Sequence, residues 1–194
     1  MVSKRVIVVC LVAIFSIYLV QFCKVSAQES IRLVIVDHSK AAYGIQLKSE
    51  VGTQLEKQLS IRSTQENELR EVIKGLGFED ISKAEKHELA LITEKMGVNK
   101  IIIVEILPAM IEYNQIVLCQ TIKADATLRI RLYDADKGQY VLREDSSGKG
   151  SNKTFIPYTS IGTKPAVKEA VHNATLVAAN EINKILRNGY IEAD

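Results

Sequence analysis

The chain has no tryptophan and only three prolines, three histidines and three cysteines in 194 residues, and each scarcity closes a class of explanation. Cys10 and Cys23 lie in an amino-terminal apolar segment, which leaves Cys119 as the lone thiol of the rest and removes any internal disulfide. Cys119 ends the apolar run Ile116-Val117-Leu118-Cys119 and reads as a buried small hydrophobe, with intermolecular pairing as the alternative. His38, His87 and His172 show no paired spacing of the H-E-x-x-H kind, so no metal site is expected. Gly75-Leu76-Gly77 has neither a third glycine nor a following Lys-Ser/Thr, so nucleotide binding has no support and no cofactor is expected.

An excess of one charge is also missing. The 25 basic and 23 acidic residues give a formal charge of +2. Lys4, Arg5 and Lys24 fall within residues 1–27 and no acid does, so 22 bases face 23 acids in the remainder. A surface so balanced offers no basic footprint for nucleic acid or an anionic membrane.

What the chain does have begins at its amino terminus. Lys4 and Arg5 precede a nearly unbroken apolar run from Val6 to Phe22, and Val25-Ser26-Ala27 places small residues before a cut ahead of Gln28. Residues 1–27 are therefore expected to be a secretory signal and residues 28–194 a single exported domain, periplasmic or otherwise extracytoplasmic, with no stable transmembrane span after cleavage. The competing reading is an uncleaved anchor, because the run approaches the roughly 20 residues that span a bilayer. Neither Cys10 nor Cys23 follows a small residue, which argues against a lipid anchor.

Ile31 to Val36 reads as a buried strand, ending at Asp37-His38-Ser39. Ile45, Val51, Leu55 and Leu59 recur at helical spacing over residues 44–60, and Leu59 to Arg62 allows a short strand. Ser63 or Thr64 caps a second helix, with Leu69, Val72, Ile73 and Leu76 inward. Ser82 and Glu85 form a capping box for a third helix to Met96, which Gly97 stops. Lys100 to Leu107 is a strand covered on both faces, and Tyr113-Asn114-Gln115 reads as a turn or loop before another strand from Ile116. Residues 126–133 alternate as a half-exposed strand, Asp134 to Gly138 is a turn, and 139–145 is the hairpin partner. Residues 146–164, rich in Ser, Gly, Lys and Thr, read as a long mobile surface loop. Pro165 opens a last helix with a broad apolar face, for a core or for a partner, and Gly189 ends it.

Asp37-His38-Ser39 has the residue types of a hydrolase triad, but three consecutive residues cannot converge in triad geometry. Asp134-Ala135-Asp136-Lys137-Gly138 starts like a calcium loop and breaks the pattern at Gly138, so it reads as a turn. Asn152-Lys153-Thr154 and Asn173-Ala174-Thr175 match the glycosylation sequon by chance.

Three stretches carry a resemblance. Leu91 to Ile106, Leu128 to Gly138 with its Tyr133-Asp134 and closing glycine, and the final helix from Ala166 to Leu186 resemble bacterial periplasmic domains related to the curli-secretion protein CsgG and the amino-terminal domain of TolB. The resemblance implies an α/β fold, a two-layer or three-layer sandwich with a mixed sheet, packed helices and a carboxyl-terminal helix. It also implies a protein that binds other envelope components and catalyses nothing. The chain shows no propeller, no lipobox and no membrane-spanning hairpins, so pore activity and Tol-type translocation are not carried over.

The expected function is an exported, noncatalytic envelope adaptor or assembly factor. Its envelope-protein contacts are placed on the edge of the 126–145 hairpin, at Arg129, Arg131, Tyr133 and Tyr140, and on loop 146–164, with a homo-oligomer allowed. The alternative is a small-ligand sensor or hydrolase with Asp37 and His38 at the carboxyl end of the first strand.

Overall fold

A computed structural model describes residues 30–61, 66–78, 80–116, 119–155 and 161–188. The expected signal segment, the expected caps at Ser63 or Thr64 and the expected stop at Gly189 lie outside these residues. The elements run β1 (Ile31–Asp37), α1 (Gly44–Leu59), α2 (Glu66–Gly75), a 3₁₀ turn (Ile81–Lys83), α3 (Lys86–Met96), β2 (Lys100–Ile106), β3 (Met110–Ile116), β4 (Cys119–Asp134), β5 (Gln139–Thr154) and α4 (Lys164–Asn188). The mixed α/β architecture is the one expected.

β1 and β2 pair in parallel, as a crossover through helices requires. β2 then pairs antiparallel with the second half of β4, Lys100 to Ile106 against Asp134 to Leu128. The first half of β4 pairs with β3, from Met110 against Asp125 to Ile116 against Cys119. β2 and β3 thus follow one another along one side of β4, while β5 runs along its other side from Gln120–Thr154 to Asp134–Gln139.

Alternation along the strands gives the sheet two apolar faces at its β1–β2–β4 end. Leu33, Ile102, Val104, Leu128, Ile130 and Leu132 pack on the first face beneath α1 and α4. Val34, Ile101, Ile103 and Tyr133 pack on the second face beneath α2, the 3₁₀ turn and α3. The result is three layers at this end, and the strands that carry both faces are the nearly all-apolar β1 and β2.

Several local expectations are corrected. Ile45 is exposed, and the inward stripe of α1 is Leu47, Val51, Leu55 and Leu59, four residues apart. α1 keeps Leu59 and ends at Ser60 in the left-handed region, so no strand starts there. Ser82 sits in the 3₁₀ turn, where Asp80 accepts from its N–H, and the capping box moves to Glu85 and Glu88. Tyr113-Asn114-Gln115 is the middle of strand β3 rather than a turn.

The largest correction concerns residues 146–154, expected as loop and found as the second half of β5. Ser146, Gly148 and Gly150 are buried while Ser147, Lys149 and Ser151 are exposed. The period of two is present, but small residues occupy its inward positions, so a hydrophobicity pattern misses it. The reason lies in α4. A Cβ on Gly148 would stand 2.2 Å from the Ala170 carbonyl oxygen and 2.2 Å from the Ala174 nitrogen, and one on Gly150 would collide with Ala166 and Ala170. Ala166, Ala170 and Ala174, at helical spacing of four, form a ridge that the two glycines receive.

α4 also lies beside α1, where the Lys168 ammonium meets Glu50 at 2.6 Å and Gln54 donates to the His172 carbonyl at 3.3 Å. Gly148→Ala is expected to lower stability by about 3 kcal/mol, the upper range for overpacking against backbone. Gly162→Ala, where a Cβ meets nothing, should change it by no more than about 0.5 kcal/mol. Urea unfolding of the two variants checks the contrast.

Candidate functional site

Past Lys100, strand β2 is apolar except for Glu105, which is its one acid and is buried. It lies on the second face, opposite Arg129 on β4 and Val36 on β1. Its carboxylate takes Arg131 Nη2 at 3.0 Å and reaches His38 Nε2 at 3.7 Å. Arg131 also donates to the Ser82 carbonyl at 2.6 Å and to the Ile81 carbonyl at 3.4 Å. The guanidinium therefore ties the sheet to the 3₁₀ turn above it.

Asp80 stands at the rim of this group. Burial resists its ionisation, but the Ser82 hydroxyl and backbone N–H, then His38 and Lys83, outweigh that and hold its carboxyl below the ordinary 3.8. Outside the cluster, Arg129 forms an exposed pair with Asp145 at 3.1 Å, which raises the guanidinium above its ordinary value. A pair so exposed is worth little.

A different arrangement occupies the far end of the sheet. All seven residues of β3 are exposed, and α2 and α3 do not extend over its part of the second face. Met110, Tyr113 and Ile116 are 71, 62 and 73% exposed, and Phe155, just past β5, is 75% exposed. An open groove of about 650 Å³ crosses this arm between Met110, Glu112, Lys123, Asp125, Lys149 and Lys153. Among the described residues β3 pairs with β4 alone, so its second edge faces outward.

The edge of β5 is treated differently. Glu169 on α4 accepts from the Ser151 N–H at 2.7 Å, Asn173 donates to the Lys149 carbonyl at 2.8 Å, and Asn152 donates to the Gly162 carbonyl at 3.0 Å. Helix side chains thus cover strand groups that would otherwise invite pairing. Both sequon asparagines use their amides in these bonds.

The residues singled out in the sequence scatter over these places. Arg131 and Tyr133 are 7 and 2% exposed and are turned inward, so neither presents a surface to a partner. Tyr140 is half-buried, donates to the Ala84 carbonyl at 3.2 Å, and meets Tyr133 edge-on at 5.8 Å where a register shift in β4–β5 brings them together. Burial, then the neighbouring Tyr140 and Asp134, push the Tyr133 hydroxyl above the ordinary 10.0. Only Arg129 of the four stands well out in solvent.

Asp37 and His38 point apart. Asp37 accepts from the Ser39 N–H at 2.8 Å and its carboxylate lies against Gly44 at the start of α1, whereas His38 turns to Glu105 on the second face. A cavity of about 250 Å³ does lie at that end of the sheet, lined by Tyr43, Leu47, Ile106, Leu107, Val167 and Val171, but on the first face. Among the described residues no group of His, Cys, Asp and Glu could hold a metal ion, and no helix is long and apolar enough to cross a membrane. Sequence reasoning passed over Glu105, although a lone charge in Ile101-Ile102-Ile103-Val104-Glu105-Ile106 was the available signal. It also passed over β3, whose mixed residues show no clean period.

No protein-family model matches the chain, and no curated protein matches it by sequence. Solved structures do. The hypothetical protein CT253 from Chlamydia trachomatis is 10% identical with a TM-score of 0.50, over 81% of this chain and 96% of that one. The likeness is one of fold. Lipoprotein GNA1162 from Neisseria meningitidis is 12% identical with a TM-score of 0.46, over 81% and 98% of the two chains. TolB from Acinetobacter baumannii is 15% identical with a TM-score of 0.43, over 82% of this chain and 29% of that one.

Glu105→Gln keeps the shape of the side chain and removes its charge, leaving Arg131 buried without a counter-ion, so a loss of about 3 kcal/mol is expected. Replacing the pair together, Glu105→Leu with Arg131→Met, should recover most of that loss in the same urea titration. Because the Asp80 carboxyl is lowered on folding, its contribution is present above the ordinary 3.8 and disappears as pH falls through the lowered value. Asp80→Asn should accordingly flatten the acid limb of a stability–pH curve. The raised Tyr133 hydroxyl works in the other direction, its contribution holding below the ordinary 10.0 and fading as pH rises beyond it.

Proposed function

We propose that this chain is an exported, noncatalytic cell-envelope adaptor or assembly factor that acts through protein–protein contacts, with the β3–β4–β5 arm as its contact surface. The observation that carries this reading is β3: a seven-residue strand exposed along its whole length, next to a groove lined by charges of both signs, with Phe155 exposed past the end of β5. An edge strand that keeps Met110, Tyr113 and Ile116 in water is a ready template for pairing with another chain. Charged rows beside apolar anchors suit a protein partner better than a lipid or a nucleic acid. In this reading residues 1–27 direct export and the cut falls before Gln28, which leaves the arm in an extracytoplasmic compartment. The sequence resemblance to the CsgG-related and TolB amino-terminal domains agrees with such a role.

The cavity at the end of β1 favours a second reading, a small apolar ligand held between Tyr43 and Val171. Ala109 also lines this cavity, and filling it with Ala109→Phe would abolish such binding.

Crosslinking in intact cells, followed by purification through a carboxyl-terminal tag and sequencing of the mature amino terminus, tests the proposal. Gln28 and one dominant envelope protein are expected. Ile116→Lys and Phe155→Lys, both on exposed side chains, should reduce recovery of that protein on the order of tenfold or more without moving the thermal midpoint. Undiminished recovery from both variants would remove the arm from the reading.

A further inference from the structure

Resting on the arm as a contact surface, the geometry points to one occupant for its free edge: we propose that β3 pairs antiparallel with β3 of a second copy of this chain, about a twofold axis midway between the two Tyr113 residues. Alternate residues of a strand turn their N–H and C=O groups to opposite edges, so the outer side of Met110–Ile116 offers a row of donors and acceptors. Soluble proteins blunt such rows with lysine, proline, a bulge or a covering element. β5 is covered by Glu169 and Asn173 of α4. β3 has no lysine or proline, its pairing with β4 runs without a register shift, and Glu112 is its single charge.

The sequence of β3 complements itself. With Tyr113 opposite Tyr113 across the axis, Met110 lies opposite Ile116 of the second copy, Ile111 opposite Gln115, and Glu112 opposite Asn114. Apolar ends meet apolar ends, and the one acid meets a neutral amide rather than another acid, which avoids the cost of like charges placed directly across a ladder. Glu112 already faces Lys123 on β4 within its own chain, so no uncompensated charge enters the junction. All four pairs join residues of equal parity. Antiparallel partners share a face, and so Met110 and Ile116, 71 and 73% exposed, gather into one apolar cluster at each end of the junction on the second face. A different register by one residue would place them on opposite faces. Two seven-residue strands bury less than the area of a stable, obligate dimer, so the pairing is a reversible one.

Paired residues in an antiparallel ladder have Cα atoms about 4.5–5.5 Å apart, inside the span of about 4.4–6.8 Å that a disulfide bridges. In cells exporting the full chain, with Cys119→Ser throughout, mild oxidation of Tyr113→Cys should give a covalent homodimer. Met110→Cys and Ile116→Cys should each give little alone and a dimer when co-expressed. Thr53→Cys, on the exposed side of α1, controls for random collision. In sedimentation of the purified protein, Tyr113→Lys should weaken dimerisation at least tenfold and Tyr113→Phe should preserve it.

A Tyr113→Cys protein that keeps its thermal midpoint and stays monomeric on oxidation overturns the pairing, as does a Thr53→Cys dimer formed equally fast. If Tyr113→Cys fails while Ile116→Lys still abolishes capture of another envelope protein, the arm remains the contact surface and only the self-pairing falls. If Tyr113→Cys dimerises and no other protein is captured, the self-pairing stands and the adaptor reading falls.

Discussion

The seating of Ala166, Ala170 and Ala174 against Gly148 and Gly150 is the contact on which the distal half of this fold depends. Helix backbone approaches strand backbone here more closely than any side chain beyond hydrogen would allow. That approach lets α4 cover Ile122, Ala124 and Ala126 on the first face. It also brings Glu169 and Asn173 to the outer edge of β5, where they satisfy strand groups. One close contact therefore accounts for the length of β5, for the closure of its edge and for the asymmetry that leaves β3 as the open side.

At the other end the sheet is held between two helical layers, and the Glu105–Arg131 pair is the polar element of that core. Such a pair is weak evidence for stability, since removing two charges from water costs about what their attraction returns. Its place in the fold suggests a role in fixing position: Arg131 grips the carbonyls of Ile81 and Ser82 and thereby sets the 3₁₀ turn over the sheet. The arrangement places this polar cross-link in the three-layer half and leaves the arm as a two-layer extension whose second face is bare.

Apolar strands and amphipathic helices were legible because their side chains report burial directly. β1, β2, the alternating half of β4 and the turn at Asp134 to Gly138 all fall where hydrophobic period and turn chemistry place them. Residues 146–154 were not legible, because Ser146, Gly148 and Gly150 are buried by the shape of a partner helix and not by their own hydrophobicity. Tyr113-Asn114-Gln115 failed for the converse reason: it is a strand whose both sides face water, so nothing in its composition separates it from a turn. Glu85 took the cap assigned to Ser82 because Asp80 had already drawn Ser82 into a 3₁₀ turn.

Of the candidate residues, Arg129 kept an outward position that strand alternation alone could assign, whereas Arg131, two residues on and of the same parity, is buried by the turn above it. Periodicity states which face of a sheet a residue occupies, and only the packing of other elements states whether that face is covered. The amino-acid sequence by itself determined which segments are strand and which are helix over most of the chain, their order, and the balance of charge, because each follows from local chemistry or counting. Tertiary structure alone decided that β5 is closed and β3 open, that Asp37 and His38 part company, and that Glu105 meets Arg131. Those outcomes turn on contacts between residues far apart along the chain, whose distances no local pattern encodes.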